Sequence, residues 1–305
     1  MSASNHIDND ADISLFEGHD IEKMLSSIAP LNIDILLLGE TGTGKDTLAR
    51  RIHRLSGRRG NFIAVNCAAI PETLAESQLF GVNSGAYTGA VQSRAGFIEA
   101  AHLGTLYLDE IDSMPMSLQT KLLRALESRG VERLGSTRFI PVNMRVIASA
   151  QQSLYNMVER GAFRRDLYFR LSVVNIQLPS LRECKDRIIP LFLTMIRREA
   201  ESFKFPSPQL PTALLQQLLC HPWPGNVREL NSTAKRLVLG LPPLSVEGKD
   251  NEMSEAGLKE RLQRIEKSLI EESLHRQKGN VDLAAADLRI AKRTLYYRMK
   301  QLGIV

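Results

Sequence analysis

The stretch IDILLLGETGTGK (residues 33–45) decides the fold of this chain. Its first part is an apolar run typical of a buried strand, and its second part has the spacing Gly-x-x-x-x-Gly-Lys. Glycines allow backbone N–H groups to close around phosphate oxygens, and the N-terminal end of a following helix attracts the same anion. The stretch therefore predicts a strand, a phosphate-binding loop and a helix in that order.

The residues of this loop are the candidates for binding ATP, and Lys45 is expected to reach the β- and γ-phosphate oxygens. Asp46 stands where the general motif has Ser or Thr as a magnesium ligand. Binding of Mg²⁺ would then depend on Thr47 or on acidic residues elsewhere. The candidate nucleotide-binding residues of the loop are Gly39, Glu40, Thr41, Gly42, Thr43, Gly44, Lys45, Asp46 and Thr47.

An acidic pair, Asp109 and Glu110, follows a second apolar run about 65 residues after the loop. Ligands of parallel sheets collect at the carboxyl ends of the strands, so this pair is expected to face the phosphate loop. Asp109 is predicted to bind Mg²⁺ directly or through water, and Glu110 is the second candidate Mg²⁺ ligand. Glu110 is predicted to orient and polarise the attacking water.

Strand and helix patterns alternate along the first 180 residues. This alternation predicts an α/β fold, a parallel sheet with helices on both faces. The predicted strands are 33–39, 62–66, 105–110 and 144–150, and the predicted helices between them include 46–55 and 118–128. The pattern then becomes helical: one helix carries Leu214, Leu215, Leu218 and Leu219 on a single face and ends before Pro222, and a second runs from 226 to 239.

Composition excludes several classes of protein. Three widely spaced cysteines, Cys67, Cys184 and Cys220, contain no CxxC pair, which argues against a disulfide framework or a zinc site. Cys67 is expected to be a small buried thiol. No apolar stretch approaches the ~18 residues of a membrane span, and the acidic N-terminus does not suit a secretory signal. We therefore expect a cytoplasmic protein without membrane contact.

The segment Gly85, Ala86, Tyr87, Thr88, Gly89 and Ala90 differs only by Tyr for Phe from the Gly-Ala-Phe-Thr-Gly-Ala signature of sigma-54-dependent activators, which are AAA+ proteins that bind bacterial enhancers. Residues 76–81 also resemble that family. The resemblance implies an AAA+ ATPase that remodels sigma-54 RNA polymerase. It also implies that the segment is a mobile loop contacting sigma-54, with Thr88 as the critical contact and Tyr87 at the tip.

Other positions match the family in order along the chain. The resemblance implies that Arg164 and Arg170 are arginine fingers reaching a neighbouring subunit's ATP, that Asn66 is the switch holding Glu110, and that Arg228 senses nucleotide from the lid. It implies a homo- or hetero-oligomeric ring, a hexamer. The chain departs from the family at Ala150-Gln151, where Thr-Asn is usual, and altered coupling between hydrolysis and loop movement is expected.

Residues 279–304 predict a helix, a tight turn and a second helix at 291–301. On the second helix Leu295 and Met299 have the i, i+4 spacing of an inward face, and the helix contains no acidic residue. It resembles the Fis-type helix-turn-helix of these activators and suits the major groove of double-stranded enhancer DNA. The candidate DNA contacts are Lys292, Arg293, Thr294, Tyr297, Arg298 and Lys300.

The predicted organisation has five parts: a disordered tail (1–14), an AAA+ α/β subdomain (15–180), a helical lid subdomain (181–240), a linker (241–257) and the DNA-binding domain (258–305). Since this layout leaves little room for a receiver domain, control is expected through protein level or a separate anti-activator protein. The short layout most resembles the HrpR/HrpS group of type III secretion regulators.

Two alternatives stay open at this point. The first is a DNA-binding regulator or partner subunit with a vestigial ATPase, which Asp46 and Ala150 favour and the intact Glu110 opposes. The second is an AAA+ remodeller of another client, such as a helicase loader, which the segment 85–90 opposes.

Overall fold

A computed structural model describes residues 19–87, 92–244, 263, 266, 267, 269, 270, 273, 274, 277 and 280–304. The predicted tail at 1–14, most of the predicted linker, and Thr88, Gly89 and Ala90 lie outside the described residues. The chain divides into two compact units, 1–243 and 244–305.

A five-stranded parallel sheet forms the centre of the first unit. In chain order its strands are β1 (Ile35–Leu38), β2 (Phe62–Asn66), β3 (Thr105–Asp109), β6 (Arg145–Ala150) and β7 (Val174–Gln177). A separate antiparallel hairpin consists of β4 (Gly130–Glu132) and β5 (Phe139–Pro141). The strand order β2-β3-β6-β1-β7 confirms the predicted parallel sheet.

Helices surround this sheet. They are α1 (His19–Ile28), α2 (Lys45–Leu55), α3 (Glu72–Phe80), α4 (Phe97–Ala100), α5 (Met116–Ser128), α6 (Leu154–Glu159) and α7 (Arg165–Leu171). The central strands are largely buried because they are covered on both faces, as parallel strands usually are, and β6 is buried along its whole length. Leu48 and Ile52 of α2 and Leu122 and Leu126 of α5 are buried at helical spacing.

The strand β7 was not predicted from the sequence. It lies at the edge of the sheet beside β1, and of its four residues only Ile176 is buried. An edge strand is covered less completely than a central one, so β7 does not contain the continuous apolar run that identified β1, β3 and β6.

Three helices complete the first unit: α8 (Lys185–Phe203), α9 (Thr212–Cys220) and α10 (Asn226–Val238). Of the leucines predicted to share one face of α9, Leu214 and Leu218 are buried, whereas Leu219 is exposed. Trp223 lies in the connection between α9 and α10. Its side chain is buried, and its Nε1 donates a 2.8 Å hydrogen bond to the Leu218 carbonyl.

The second unit ends in α11 (Val281–Asp287) and α12 (Lys292–Gln301), with Arg289 in a left-handed conformation at the turn. Leu295 and Met299 are buried against Ala284, Ala285 and Ile270, which confirms the predicted inward face of the second helix. Leu283 does not take part in the helix crossing, since its side chain is exposed. Among the described residues, none of the helices is both long and apolar enough to span a membrane.

Candidate functional site

Strand register brings the predicted catalytic residues to one edge of the sheet. Leu38 pairs with Ala150, and Asn66 pairs with Asp109, so the residues that follow β1, β3 and β6 emerge side by side. These strand ends, the phosphate loop and the helices α8 and α10 enclose an open cleft of about 270 Å³. The cleft is lined by Thr41, Gly42, Gly44, Lys45, Asp46, Thr47, Asp109, Glu110, Gln151, Met195, Arg198, Val227, Arg228 and Asn231.

Lys45 closes the phosphate loop from inside. Its Nζ donates hydrogen bonds of 2.7 Å to the Gly39 carbonyl and 2.9 Å to the Glu40 carbonyl. Burial lowers the pKa of Lys45, while the nearby charges of Asp109, Asp112 and Glu110 act in the opposite direction. The ammonium group is therefore held at the base of the loop, beside the acidic pair, where a phosphate would meet it.

Asp109 is held by two hydroxyl groups. The Ser149 Oγ donates a 2.5 Å hydrogen bond and the Tyr107 hydroxyl a 3.0 Å hydrogen bond to the same atom, Asp109 Oδ1. The buried Tyr107 hydroxyl has its pKa raised, chiefly by desolvation. With Oδ1 fixed in this way, Oδ2 is the oxygen left for a metal ion.

Glu110 was predicted to be the last residue of a strand, but β3 ends at Asp109 and Glu110 follows it. Its backbone is left-handed, at φ 53° and ψ 48°, and its amide N–H donates to Ser149 Oγ at 3.2 Å. This conformation is uncommon for a residue with a side chain and is enriched at active sites. Its carboxylate Oε1 accepts a 2.6 Å hydrogen bond from Gln151 Nε2.

Asn66 does not hold Glu110 in this structure, in contrast to the role that its position implied. Its Oδ1 accepts hydrogen bonds from the backbone N–H groups of Ala68, at 2.9 Å, and Ala69, at 3.1 Å. An Asx turn of this kind engages the side chain locally. The partner of Glu110 is instead Gln151, the residue that departs from the family pattern.

Asp46 also has a local partner. Its Oδ2 accepts a 2.9 Å hydrogen bond from Arg50 Nε, an i, i+4 ion pair on the exposed face of α2. Such a pair stabilises a helix only slightly. Thr47 lines the cleft and is the hydroxyl available beside the loop.

The helical lid is bound to the phosphate loop through Asn226, which is fully buried. Its Nδ2 donates to the Thr41 carbonyl at 3.0 Å and to Glu40 Oε2 at 3.2 Å, while its Oδ1 accepts from the Leu181 N–H at 2.8 Å. Arg182 forms an ion pair with the carboxylate of Glu40. The hydrogen bonds from Arg182 and Asn226 lower the pKa of Glu40.

The contact is close because Gly42 has no side chain. A Cβ at Gly42, whose φ is +77°, would lie 2.2 Å from the Gly225 carbonyl oxygen, and the Gly42 carbonyl accepts a 2.9 Å hydrogen bond from the Val227 N–H. This glycine is thus required by the approach of the lid as well as by the loop conformation.

Several lining residues were missed by sequence reasoning, namely Met195, Arg198, Val227 and Asn231. The signal for Asn231 was present, because Val227, Arg228 and Asn231 share one face of α10. Nothing in the local sequence of α8 distinguishes Arg198 from the other arginines of that helix.

Arg164 and Arg170 are not among the residues that line this cleft. Arg164 forms a two-pronged ion pair with Asp166, through Nε–Oδ1 at 3.0 Å and Nη2–Oδ2 at 2.6 Å. Arg170 pairs with Asp34 at the opposite end of β1 from the phosphate loop.

The six predicted DNA-contacting side chains are all exposed on α12. Two of them already form ion pairs within the second unit: Lys292 Nζ lies 2.6 Å from Asp282 Oδ1, and Arg298 Nε lies 3.2 Å from Glu266 Oε1. Tyr297 accepts a 2.9 Å hydrogen bond from Gln301. Arg293 and Lys300 are the other exposed cations of the helix.

Of the three thiols, Cys67 is half-buried rather than fully buried, and burial raises its pKa to about 12. A thiol with so high a pKa is almost entirely protonated at neutral pH and is a poor nucleophile.

Comparison with known proteins identifies three regions, of which the last two overlap. Residues 17–177 match the sigma-54 interaction domain, residues 182–271 an AAA+ ATPase lid domain, and residues 261–302 the bacterial regulatory proteins of the Fis family.

Similar chains include probable regulatory proteins of pathogenicity loci. The chain is 59% identical to the pathogenicity locus probable regulatory protein WtsA of Pantoea stewartii subsp. stewartii, over 94% of this chain and 88% of that protein. It is 55% identical to HrpS of Pseudomonas savastanoi pv. phaseolicola, over 98% and 100% of the two chains. HrpR of Pseudomonas syringae pv. syringae is 52% identical, over 99% and 96%.

Among solved structures, NtrX of Brucella abortus in complex with ADP superposes with a TM-score of 0.74 at 31% identity. The match covers 93% of this chain and 68% of that one. The complex of the same protein with ATP gives a TM-score of 0.73 at 31% identity, over 93% and 67% of the two chains.

Proposed function

Because the chain belongs to the family of sigma-54-dependent transcription activators with a Fis-type DNA-binding domain, we propose that it hydrolyses ATP in the cleft between sheet and lid and uses the energy to remodel sigma-54 RNA polymerase. Its relatives WtsA, HrpS and HrpR are named as pathogenicity locus regulators. We infer that this chain also regulates a pathogenicity locus and acts at promoters of type III secretion genes.

One observation carries the proposal of ATP hydrolysis: Lys45, Asp109, Glu110 and Arg228, which are far apart in the sequence, line a single cleft. Lys45 and Arg228 supply positive charge for phosphate oxygens. Glu110 is placed to orient an attacking water and accept its proton.

The donor set suits Mg²⁺, which prefers carboxylate and hydroxyl oxygens and keeps several waters. Asp109 Oδ2 and the Thr47 hydroxyl would hold it. When bound, Mg²⁺ would stabilise negative charge on the phosphate oxygens. Asp46 is a weaker candidate because its carboxylate is paired with Arg50.

Assembly into a ring, which we propose to be a homo- or hetero-hexamer, is supported by α7. Arg164 precedes this helix and Arg170 lies within it, and neither lines the cleft of its own chain. We expect both to reach a neighbour's ATP once they exchange their carboxylate partners. Phe169, between them, is 66% exposed and touches the ring of Tyr168. An aromatic side chain so exposed is often covered by a partner.

The sigma-54 contact is proposed for residues 85–90. Tyr87 is exposed, and the base of the loop lies against the turn that connects β4 and β5, where a Cβ at Gly135 would come within 2.6 Å of Ala86 Cβ. The exposed basic face of α12 is proposed to bind enhancer DNA, with phosphate contacts supplying most of the affinity.

The proposal is tested by measuring ATP hydrolysis and open-complex formation with sigma-54 polymerase for the wild type, Thr88→Ala and Glu110→Gln. Thr88→Ala should keep hydrolysis and lose open complexes, whereas Glu110→Gln should lose both. Equal loss of both activities in Thr88→Ala would contradict the role of the loop. Absence of hydrolysis in the wild type, with its natural partner subunit present, would favour a vestigial ATPase.

A further inference from the structure

The side chain of Gln151 joins the phosphate loop to the acidic residue Glu110. Its Oε1 accepts a 2.7 Å hydrogen bond from Thr41 Oγ1, and its Nε2 donates a 2.6 Å hydrogen bond to Glu110 Oε1. The orientation of the amide follows from its partners, because an ionised carboxylate only accepts hydrogen bonds. One amide therefore links two residues that are 69 positions apart in the sequence.

The backbone around Gln151 is well anchored. Ala150, the last residue of β6, is buried and pairs with Leu38, and its carbonyl accepts a 3.3 Å hydrogen bond from the Gly39 N–H. The place of Gln151 relative to the loop is thus determined by the sheet. With the backbone held in this way, the length of the Gln151 side chain limits which groups its amide can contact.

That length matters because both hydrogen bonds depend on the end of the side chain. Asn at this position would be shorter by one carbon–carbon bond, roughly 1.5 Å. Hydrogen bonds of 2.6 and 2.7 Å lengthened by that amount would exceed the range of such bonds. The departure from the family pattern therefore creates a connection that the usual residue would not make in this backbone.

The residue expected to hold Glu110 is engaged elsewhere. Asn66 Oδ1 accepts from the N–H groups of Ala68 and Ala69 and closes its own turn. In the described part of the chain, Gln151 is the side chain that hydrogen-bonds to the Glu110 carboxylate.

We propose that Gln151 is a positioning residue for Glu110. Its amide holds the carboxylate at a defined place relative to Thr41, so that movement of the phosphate loop is transmitted to the group that orients the attacking water. This inference rests on the proposed ATPase function. The unusual residue after β6 then connects the phosphate loop to the proposed catalytic carboxylate.

The test compares Gln151→Ala, Gln151→Asn and Thr41→Val with Gln152→Ala, the adjacent exposed glutamine, as the matched control. Steady-state ATP hydrolysis gives kcat and KM, and a fluorescent ADP analogue gives nucleotide affinity without turnover. Misplacing a catalytic group by about 1 Å costs up to about 100-fold in rate, so kcat should fall roughly 10- to 100-fold in Gln151→Ala. Affinity for the ADP analogue should change by less than about 3-fold, and Gln152→Ala should behave as the wild type.

Coupling between the two ends of the link supplies a second readout. The double variant Thr41→Val, Gln151→Ala should lose little more than Gln151→Ala alone, because both substitutions break one connection. Gln151→Asn should resemble Gln151→Ala rather than the wild type.

Wild-type turnover in Gln151→Ala, additive losses in the double variant, or a loss of ADP affinity that accounts for the rate would each overturn the inference. So would a loss of kcat in Asn66→Ala with Gln151→Ala unaffected. These outcomes leave the ATPase proposal intact as long as the wild type hydrolyses ATP and Glu110→Gln does not. A wild type without turnover would overturn both.

Discussion

The nucleotide cleft and the C-terminal helix pair are built in opposite ways. The cleft takes its polar groups from the phosphate loop and the start of α2, from the ends of β3 and β6, and from two lid helices, between Thr41 and Asn231. The helix pair forms from a short contiguous segment, with Leu295 and Met299 on the inner face of α12 and basic residues on the outer face. A site assembled from distant segments depends on the packing of the whole unit, whereas a helix surface depends on local periodicity.

Removing the proposed catalytic carboxylate should have the largest effect on the cleft. Glu110→Gln keeps the shape of the side chain but removes the base, so kcat for ATP hydrolysis should fall about 100- to 10,000-fold. Nucleotide affinity should stay within a few-fold of the wild type. Glu201→Gln, on the exposed face of α8, is the control, and a comparable loss in that variant would show that the effect is not specific.

On the helix pair, truncating the inner face should matter most. Leu295 is fully buried, and Leu295→Ala should destabilise the second unit by about 2–5 kcal/mol. DNA binding should be lost while ATP hydrolysis persists, as measured by gel shift and turnover on the same preparation. Leu283→Ala, which truncates an exposed leucine of α11, should retain DNA binding. Parallel loss of ATP hydrolysis in Leu295→Ala would argue that the two units are not independent.

Loosening the lid should have a smaller effect. Asn226→Gly removes the hydrogen bonds to Thr41, Glu40 and Leu181 but tolerates the left-handed backbone of this residue, at φ 50°. Leaving buried polar groups unsatisfied should lower the free energy of unfolding of the first unit by about 1–3 kcal/mol, measured by urea denaturation. Asn226→Ala should cost about 1 kcal/mol more, owing to the left-handed conformation. Equal stability of Asn226→Gly and the wild type would show that these bonds contribute nothing net.

Removing one cation from α12 should have the smallest effect. Arg293→Ala should weaken DNA binding by a few-fold and reduce the slope of log affinity against log salt concentration by about one. The charge-matched control is Arg197→Ala on α8. A change that appears only at one DNA sequence would instead assign Arg293 to a base contact.

The sequence predicted the central strands and the residues at their carboxyl ends because continuous apolar runs and glycine spacing are local signals. It missed β7, whose exposed edge position leaves it with one buried residue. The family pattern implied that Asn66 holds Glu110, whereas the Asn66 side chain closes its own turn in this structure. A position in a sequence pattern does not reveal which hydrogen bonds the side chain makes. The lid residue Arg198 carries no local signal that separates it from its neighbours.

What the sequence by itself determined is the identity of the phosphate loop, the acidic pair and the two faces of α12. Each of these follows from spacing within a short segment, where chain geometry leaves few alternatives. Only the tertiary structure decided which distant residues hydrogen-bond to each other: Gln151 bonds to Glu110 and Thr41, and Asn226 bonds to the phosphate loop. Hydrogen bonds between distant residues depend on distances of a few tenths of an ångström, and those distances are determined by the packing of the sheet and lid.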